Sequence, residues 1–383
     1  DASVTRPAST SSPTVLDLVS RLPASFASPT LPATGDAVYK WAAMSQLADS
    51  DSTFSLTAPV PDAQLLDALQ TLAFTAGRPT STFSSGRTRC DGSVCDDALA
   101  SAKLADSFNS RPAVVGTPLG LSTNPDYNGE FLTRVLDTYS GNDAPMVGDV
   151  PADPCDGARD RNDKCIVALR RKVVYLPAND GLLHAFDAKT GAELWAFLPA
   201  GHMSRLHRAR DGRTTFIDGV VTVRDVRFPC DRDANGACSA NQSRPFADGK
   251  WHTIAVVNQG AGGNFLFTLD VTNPVKPVFL WEFRKPSKMG NMVSRPVVVE
   301  LGQGLPTVER PLTAIFAPGG YFASGFEGAS DPADATKHPH FFSLRVFDGE
   351  ILDEQHIDPK ALGDTETSPQ GIVNAMTGEK QHI

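Results

Sequence analysis

The spacing of apolar residues changes character at about residue 111. Residues 1–35 are rich in Ser, Thr, Ala and Pro and have no periodicity, which is typical of an arm or linker. After Pro61, apolar residues recur at three- and four-residue steps until Gly77-Arg78-Pro79, and this pattern predicts a helix with a Gly-Pro stop. Residues 1–110 are therefore predicted to form an N-terminal arm and a small, partly helical lead-in.

Beyond residue 111 the apolar segments become short and β-branched, with Gly, Asn, Asp and Pro between them. Such segments are typical of β-strands joined by turns. The clearest predicted strands are 113–115, 172–176, 253–257, 296–299 and 313–316. This half of the chain is therefore predicted to be mainly β.

A hairpin motif repeats within the β region. Residues 179–197 contain two apolar runs joined by a Thr-Gly turn, residues 263–283 follow the same plan, and 341–352 form a weaker copy. An aspartate closes the first run of each copy: Asp187, Asp270 and Asp348. A four-stranded propeller blade needs roughly 40–50 residues, so each interval between copies holds two ordinary blades or one blade with a long insertion. The repeat predicts a β-propeller of four-stranded antiparallel blades over residues 111–383. Further strands would be expected after Ile383, so the propeller is either incomplete at its C-terminal end or closes in an unusual way.

Composition narrows the possible functions. The 383 residues carry a net charge of −9, and a nucleic-acid binder would instead show a basic face. The 31 glycines and 29 prolines suit turn-rich β structure better than a helix bundle. No apolar run reaches the length of a membrane span. The chain starts at Asp1 without a signal peptide, and we interpret it as a mature or trimmed fragment.

The cysteines indicate an oxidising compartment. They fall into three local pairs within turn-rich segments: Cys90 with Cys95, Cys155 with Cys165, and Cys230 with Cys238. A zinc site would need closely spaced C-x-x-C pairs or neighbouring histidines, which are missing here. Three small disulfide-closed loops are therefore predicted, and such loops are typical of proteins outside the cytosol. The alternative of six free surface cysteines is disfavoured because all six pair off locally.

One acidic loop has the spacing of a calcium site. Asp231, Asp233 and Asn235 alternate before Gly236, so that oxygen ligands converge on one ion and the glycine permits a sharp turn. A terminal bidentate glutamate is missing, and the competing interpretation is an Asx-turn-rich disulfide loop without metal. A second acidic loop at 153–163 is a weaker candidate because arginine and lysine side chains neutralise it.

Several ordered segments resemble one family of proteins. They are VVYLPANDGLLHAFD at 173–187, FIDGVVTVRDV at 216–226, WHTIAVVNQGAGGNFLFTL at 251–269, SRPV at 294–297 and GGY at 319–321. In this order they resemble the quinoprotein-like β-propeller of the PilY group of type IV pilus biogenesis and tip-adhesin proteins. Some members bind calcium in an acidic loop after a Ser-Pro strand. Here Ser368-Pro369 is followed by residues 374–379, which lack alternating aspartates, so that site is not transferred.

The resemblance implies a non-catalytic protein of the pilus tip, exported through the periplasm and outer membrane. It would promote pilus assembly and surface attachment, with minor pilins and a host or abiotic surface as partners. The alternatives are a generic extracellular protein- or carbohydrate-binding propeller and a periplasmic quinoprotein (PQQ) dehydrogenase on the same fold. Catalytic motifs such as G-x-S-x-G, H-E-x-x-H and the P-loop do not occur in the sequence. Binding is expected on long insertions between strands, namely 140–165, 202–215, 228–248 and 324–340.

Overall fold

The computed structural model of this chain describes part of its length. The described residues are 3–5, scattered positions between 22 and 42, 60–77, 104–116, 171–211, 214–232, 238–239, 249–274, 276–285, 288–301, 312–318, 340–356, 372–373 and 380–381.

The main described helix is the one that the sequence predicts. Helix α1 spans Asp62–Thr75 and begins after Pro61, whose extended backbone (φ −57°, ψ 143°) sets the N-terminus. Its apolar side, including Leu65 and Leu69, is fully buried. Two short helical segments were not predicted: a 3-10 helix over Ala200–Arg205 and helix α2 over Leu206–Asp211, which packs against α1. Among the described residues, no helix has the length and apolar composition required to cross a bilayer.

Strands make up most of the described secondary structure. In chain order they are β1 (Ser3–Thr5), β2 (Ala113–Val115), β3 (Val173–Pro177), β4 (Leu183–Asp187), β5 (Glu193–Phe197), β6 (Val221–Arg227), β7 (Asp231–Arg232), β8 (Cys238–Ser239), β9 (Trp251–Asn258), β10 (Phe265–Asp270), β11 (Val278–Arg284), β12 (Val297–Leu301), β13 (Leu312–Pro318), β14 (His340–Arg345), β15 (Ile351–His356), β16 (Ile372–Val373) and β17 (Lys380–Gln381). The prediction of a mainly β chain is confirmed.

The strands form three blade-like antiparallel sheets. Sheet 1 has the order β2-β3-β4-β5, sheet 2 the order β6-β9-β10-β11, and sheet 3 the order β12-β13-β14-β15. Strand β1 adds a fifth strand to sheet 2 beside β11, and β7–β8 and β16–β17 are separate two-stranded hairpins. Among the described residues, each interval between the repeated hairpins contains one four-stranded sheet.

Neighbouring sheets meet in the manner of propeller blades. The first strand of sheet 2, β6, lies between the first strands of sheets 1 and 3, and Arg111 forms a parallel bridge with Val220. One hydrophobic cluster fills the space between sheets 1 and 2, and a second fills the space between sheets 2 and 3. Strand β10 contributes side chains to both clusters, so all six of its residues are buried. In strand β3 of sheet 1, buried and partly buried residues alternate.

The bulge pattern corrects the alignment of the third repeat. Each sheet has a register shift between its last two strands, at Ala185/Phe186, Thr268/Leu269 and Ser343/Leu344. Asp187 and Asp270 follow this bulge directly, but in sheet 3 the equivalent residue is Arg345. The sequence alignment had used Asp348 instead. Arg345 and Asp348 form an ion pair across the turn, at 2.5 Å, so the acidic group is present but three residues later.

Candidate functional site

The predicted calcium loop lies largely beyond the described residues. Strands β7 and β8 pair Asp231 with Ser239 and Arg232 with Cys238, which defines the base of a hairpin. Asp233 and Asn235 fall in the part of the loop that the structure does not describe, so the calcium site remains a prediction. Among the described residues, no three His, Cys, Asp or Glu side chains form a group suited to a metal.

The described residues also include only part of the predicted disulfide pairing. Cys230 is disulfide-bonded, and the β7–β8 pairing places Cys238 on the adjacent strand. The bond between Cys230 and Cys238 stays a prediction. The other four predicted disulfide cysteines lie outside the described residues: Cys90, Cys95, Cys155 and Cys165.

A buried histidine joins two carboxylates within sheet 1. The Nε2 atom of His184 lies 3.0 Å from Asp180 Oδ2, and its Nδ1 atom lies 2.5 Å from Glu193 Oε1. Burial lowers the pKa of His184, but the hydrogen bonds and charges of both carboxylates outweigh burial and raise the pKa from 6.5 to about 9. The imidazolium is therefore the stable form at neutral pH, and it ties the β3–β4 turn to β5.

The Asp180 side chain organises the turn that carries it. Residues 178–182 connect β3 and β4, and Gly181 N–H donates to Ala178 O at 3.3 Å. Gly181 has a positive φ of 85° at the end of this turn. The Asp180 carboxylate accepts the Leu182 N–H at 3.0 Å and is 2% exposed. It organises the turn and is closed to solvent.

Glu282 holds the segment that connects sheets 1 and 2, residues 198–220, hereafter the first connector. Its Oε2 atom accepts the Gly201 N–H at 3.2 Å, and the Ala200 N–H also hydrogen-bonds this carboxylate. These groups are the free N–H groups at the start of the 3-10 helix, so Glu282 caps that helix. Burial raises the pKa of Glu282 from 4.5 to about 7, against the opposing effects of these N–H groups and Arg284.

A neutral histidine in the same 3-10 helix makes a further buried contact. His202 is fully buried, and its Nε2 atom lies 2.6 Å from Gln259 Oε1. Burial, reinforced by the charge of Arg205, holds the pKa of His202 well below 6.5. The ring is therefore uncharged at neutral pH and donates its Nε2–H to Gln259. Phe216 and Phe265 pack edge-on against the imidazole.

Glu354 holds the corresponding segment between sheets 2 and 3, residues 285–296, hereafter the second connector. Lys285 Nζ donates to Glu354 Oε2, and Lys288 Nζ lies 2.6 Å from Oε1. His340 Nδ1 is 3.2 Å from the same Oε1 atom. Burial raises the pKa of Glu354, but the two lysines outweigh burial and lower the pKa to about 2.

The two glutamates occupy equivalent positions in the repeat. Glu282 lies opposite Phe267, and Glu354 lies opposite Phe342, in each case two residues after the bulged residue of its own strand. In sheet 1 the equivalent residue is Ala196, opposite His184. Sequence analysis missed both glutamates as functional positions. The sequence feature that could have identified them is the repeated hairpin, because Glu282 directly follows the tryptophan of its second copy.

Tryptophans provide a second repeated link between sheets. Trp195 Nε1 donates to Pro274 O at 2.8 Å, from sheet 1 to the turn of sheet 2. Trp281 Nε1 donates to Val346 O at 2.9 Å, from sheet 2 to the turn of sheet 3. Trp195 and Trp281 lie at the same place in the repeat, opposite Ala185 and Thr268. These two tryptophans therefore link neighbouring sheets in the same way.

The described polar clusters are structural in their chemistry. Each pairs a connector, a turn or a neighbouring strand with at least one buried or partly buried group. Glu282 is 2% exposed and His184 is 2% exposed, so neither presents a reactive atom to solvent. The arrangement can hold neighbouring sheets in a fixed relation and leave the inserted loops as the variable surface.

Comparisons with known proteins identify this repeat. Residues 157–335 match the family model of the PilY1 beta-propeller domain. The chain is 30% identical over 214 residues to a type IV pilus biogenesis factor PilY1 homolog of Xylella fastidiosa, covering 54% of this chain and 14% of that protein. It is 30% identical over 211 residues to the type IV pilus biogenesis factor PilY1 of Pseudomonas aeruginosa, covering 53% and 14%. The resemblance to the PilY group is confirmed, and the matched region is a small part of these relatives.

A solved structure is similar at a lower level. The crystal structure of the C-terminal domain of Pseudomonas aeruginosa PilY1 is 21% identical in sequence, with a TM-score of 0.36. The match covers 64% of this chain and 37% of that one. At this TM-score the superposition carries no argument about blade number or closure.

Proposed function

We propose that this chain, whose residues 157–335 match the family model of the PilY1 beta-propeller domain, acts in type IV pilus biogenesis. The observation that carries the proposal is the family match over residues 157–335, together with relatives that are named pilus biogenesis factors. We assign residues 111–383 to the propeller and residues 1–110 to its arm and lead-in.

Within that role, we propose a non-catalytic display platform at the pilus tip, outside the cell. Sheets joined by two repeated kinds of contact form a rigid support, and paired or closed strands leave few edges for mispairing. The inserted segments 140–165, 202–215, 228–248 and 324–340 would then contact minor pilins and a host or abiotic surface.

Complementation of a deletion strain tests this role. The full-length gene is deleted, and surface pili, twitching and attachment are measured. Wild type is expected to restore all three. The same gene with Gly349→Ala, which forces a side chain against Trp281, is expected to fail. Gly191→Ala is the matched control because nothing lies within 4 Å of the added carbon, and it should restore function.

Normal piliation, twitching and attachment in the deletion strain, without a redundant paralogue, would contradict the proposal. Restoration of pili without attachment by a variant that lacks residues 228–248 would separate adhesion from assembly. It would also assign adhesion to that insertion.

Calcium and the disulfides are tested on the purified chain. If the loop binds calcium, the double variant Asp231→Ala with Asp233→Ala should lose a calorimetric signal that wild type shows. Equal binding by both proteins would place the site elsewhere. Non-reducing peptide mapping should find Cys230 bonded to Cys238, Cys90 to Cys95 and Cys155 to Cys165, and free thiols or crossed pairs would contradict this.

A further inference from the structure

Two buried titratable side chains lie at the contact between the first connector and sheet 2. The carboxylate of Glu282, on β11, accepts the Gly201 N–H at 3.2 Å. His202 is the next residue of the connector, and its Nε2 atom lies 2.6 Å from Gln259 Oε1. Both side chains are buried in the docked connector. The connector therefore cannot leave the sheet without exposing a carboxyl group and an imidazole to water.

The docked geometry disfavours the charged form of each side chain. The described partners of the Glu282 carboxylate are main-chain N–H groups, so an ionised carboxylate would be buried without a paired cation. The Nδ1 atom of His202 makes no hydrogen bond among the described residues, so a protonated ring would bury a charged N–H donor without an acceptor. The docked connector therefore keeps a proton on Glu282 and a neutral ring at His202.

Opening of the connector reverses both protonation states. The ordinary pKa is 4.5 for the Glu282 carboxyl and 6.5 for the His202 imidazole, and burial raises the first pKa to about 7 and lowers the second. Between pH 4.5 and 6.5, opening therefore releases a proton from Glu282 and adds one to His202. Glu282 alone would make opening easier as pH rises, and His202 alone would make it easier as pH falls. Because the number of bound protons stays the same on opening, the two effects cancel.

The other charged groups that act on this contact keep their charge. They are Arg205 of the connector, Arg284 of β11 and Asp180 of the β3–β4 turn. Arginine side chains stay protonated in proteins. Asp180 pairs with the His184 imidazole, whose pKa is about 9. The pH response of the contact therefore depends on Glu282 and His202.

The connector is held by fewer hydrogen bonds than the strands beneath it. Besides the contacts of Glu282 and His202, Arg205 donates to the Gly262 carbonyl. Strand β9, in contrast, pairs with both β6 and β10. A segment with few hydrogen bonds opens locally at a lower free energy than the whole domain unfolds. Opening of the connector is therefore separable from global unfolding.

We propose that Glu282 and His202 form a proton-compensated pair, which holds the first connector docked with nearly equal strength from acidic to slightly alkaline pH. Each side chain alone would make docking sensitive to pH, in opposite directions. The 202–215 insertion belongs to this connector, so the pair would keep it presented equally across that range. Only this last consequence depends on the proposed function.

Amide hydrogen exchange of the purified full chain tests the pair. Exchange is measured between pH 5 and 8 and corrected for intrinsic rates, so that it reports the opening equilibrium. Peptides from 198–211 report the connector, and peptides from 251–258 report global unfolding. The chains are wild type, Glu282→Gln, His202→Gln and the double variant, and both glutamines keep a hydrogen-bonding group. His207→Gln, a partly exposed histidine of the same connector, is the matched control.

The opening constant of the wild-type connector should vary by less than about threefold between pH 5 and 8. In Glu282→Gln it should rise about thirtyfold as pH falls from 8 to 5, because His202 then acts alone. In His202→Gln it should rise about seventyfold as pH rises from 5 to 8, because Glu282 then acts alone. The double variant should again be flat, and His207→Gln should follow wild type.

Three results would overturn the inference. They are a wild-type opening constant that varies by more than about tenfold, single variants with the flat profile of wild type, and connector peptides that exchange only as slowly as those of β9. If one single variant fails to fold, the wild-type profile and the other variant decide. The readout is exchange in the purified chain, so it is independent of whether the deletion strain loses its pili.

Discussion

The junction between sheets 1 and 2 and the junction between sheets 2 and 3 use one geometry with opposite electrostatics. In the first, Glu282 is buried against backbone N–H groups of the first connector, and its pKa rises to about 7. In the second, Glu354 accepts hydrogen bonds from two lysine ammonium groups, and its pKa falls to about 2. Both glutamates lie two residues after the bulged residue of their own strand, Leu280 in β11 and Leu352 in β15.

The repeat sets where each glutamate lies, and the groups around the glutamate set its charge state. The strand register brings a side chain at this position to the connector that enters the sheet, whichever residue type is present. The charge state then depends on how deeply the carboxylate is buried, which is fully for Glu282 and only partly for Glu354, and on the donors that the connector supplies. Neutral backbone donors do not offset the cost of burying a carboxylate, whereas two ammonium groups do. The tryptophan links, in contrast, are the same in both junctions.

The largest expected loss of stability comes from a glycine substitution in the turn of sheet 3, compared with the same substitution in the turn of sheet 1. Gly191 and Gly349 both have positive φ values, 74° and 71°. A Cβ on Gly349 would lie 2.7 Å from Cδ2 of Trp281, which is fully buried, whereas a Cβ on Gly191 has nothing within 4 Å. Gly349→Ala should lower the free energy of unfolding by about 3–4 kcal/mol and Gly191→Ala by about 1 kcal/mol. Urea denaturation measures both, and equal losses would show that Trp281 does not pack on this turn.

The second prediction concerns the ionisation of Glu282. Its folded pKa of about 7 lies above its ordinary value of 4.5, so folding opposes ionisation. Wild type should lose about 3 kcal/mol of unfolding free energy from this group as pH rises from about 4.5 to about 7. Glu282→Gln keeps an acceptor oxygen but cannot ionise. It should match wild type near pH 4 and exceed it by about 3 kcal/mol at pH 8.

Denaturation at both pH values tests this difference. Glu300→Gln changes an exposed carboxylate on β12 and serves as the control, with an expected change below about 0.5 kcal/mol. A Glu282→Gln chain that is less stable than wild type at pH 8 would mean that the ionised carboxylate is favoured by its surroundings.

Much of this fold follows from local sequence patterns. The stop at Gly77-Arg78-Pro79 and the apolar stripe after Pro61 correctly place α1. The β-branched segments correctly place β2, β3, β9, β12 and β13. These patterns succeed because helix and strand periodicities are set within a few residues. The 3-10 helix in the first connector was missed because its stability depends on Glu282, which is distant in sequence.

The junctions could be inferred from sequence only in part. The links made by Trp195 and Trp281 follow from the sequence repeat, because a repeated hairpin must bury its aromatic residue against the next sheet. The equivalence of Arg345 with Asp187 and Asp270 was missed because it depends on the position of a bulge, which sequence spacing does not show. The roles of Glu282 and Glu354 depend on donors from other segments of the chain.

The third prediction concerns the ionisation of Glu354, for which the expected pH dependence is the reverse of that for Glu282. The folded pKa of Glu354, about 2, lies below its ordinary value of 4.5, so folding favours the ionised form. Its contribution is present above about pH 4.5 and is lost as pH falls toward 2. Glu354→Gln should therefore lower the free energy of unfolding by about 2 kcal/mol at pH 7, because its partly exposed partners are screened. The difference from wild type should shrink at pH 3.

The effect of salt on stability is expected to differ between this junction and the first. Raising the ionic strength to about 1 M shortens the screening length to roughly 3 Å and should reduce the Glu354→Gln effect. The Glu282→Gln effect should change less because Glu282 is paired with backbone groups and is buried. A salt response of equal size in both variants would contradict the contrast between the two junctions.

The smallest expected effect concerns the feature that the two junctions share. Trp195→Phe and Trp281→Phe each remove an indole N–H donor and leave a backbone carbonyl, of Pro274 or Val346, without that bond. A net hydrogen bond contributes about 1 kcal/mol, and the loss is larger where the acceptor is sealed from water. Trp281 is fully buried and Trp195 is partly exposed, so Trp281→Phe should cost more, about 2 against 1 kcal/mol. Urea denaturation of both variants at pH 7 measures the difference. Equal losses would mean that packing volume, which the two substitutions reduce alike, outweighs the hydrogen bond as the source of stability at both junctions.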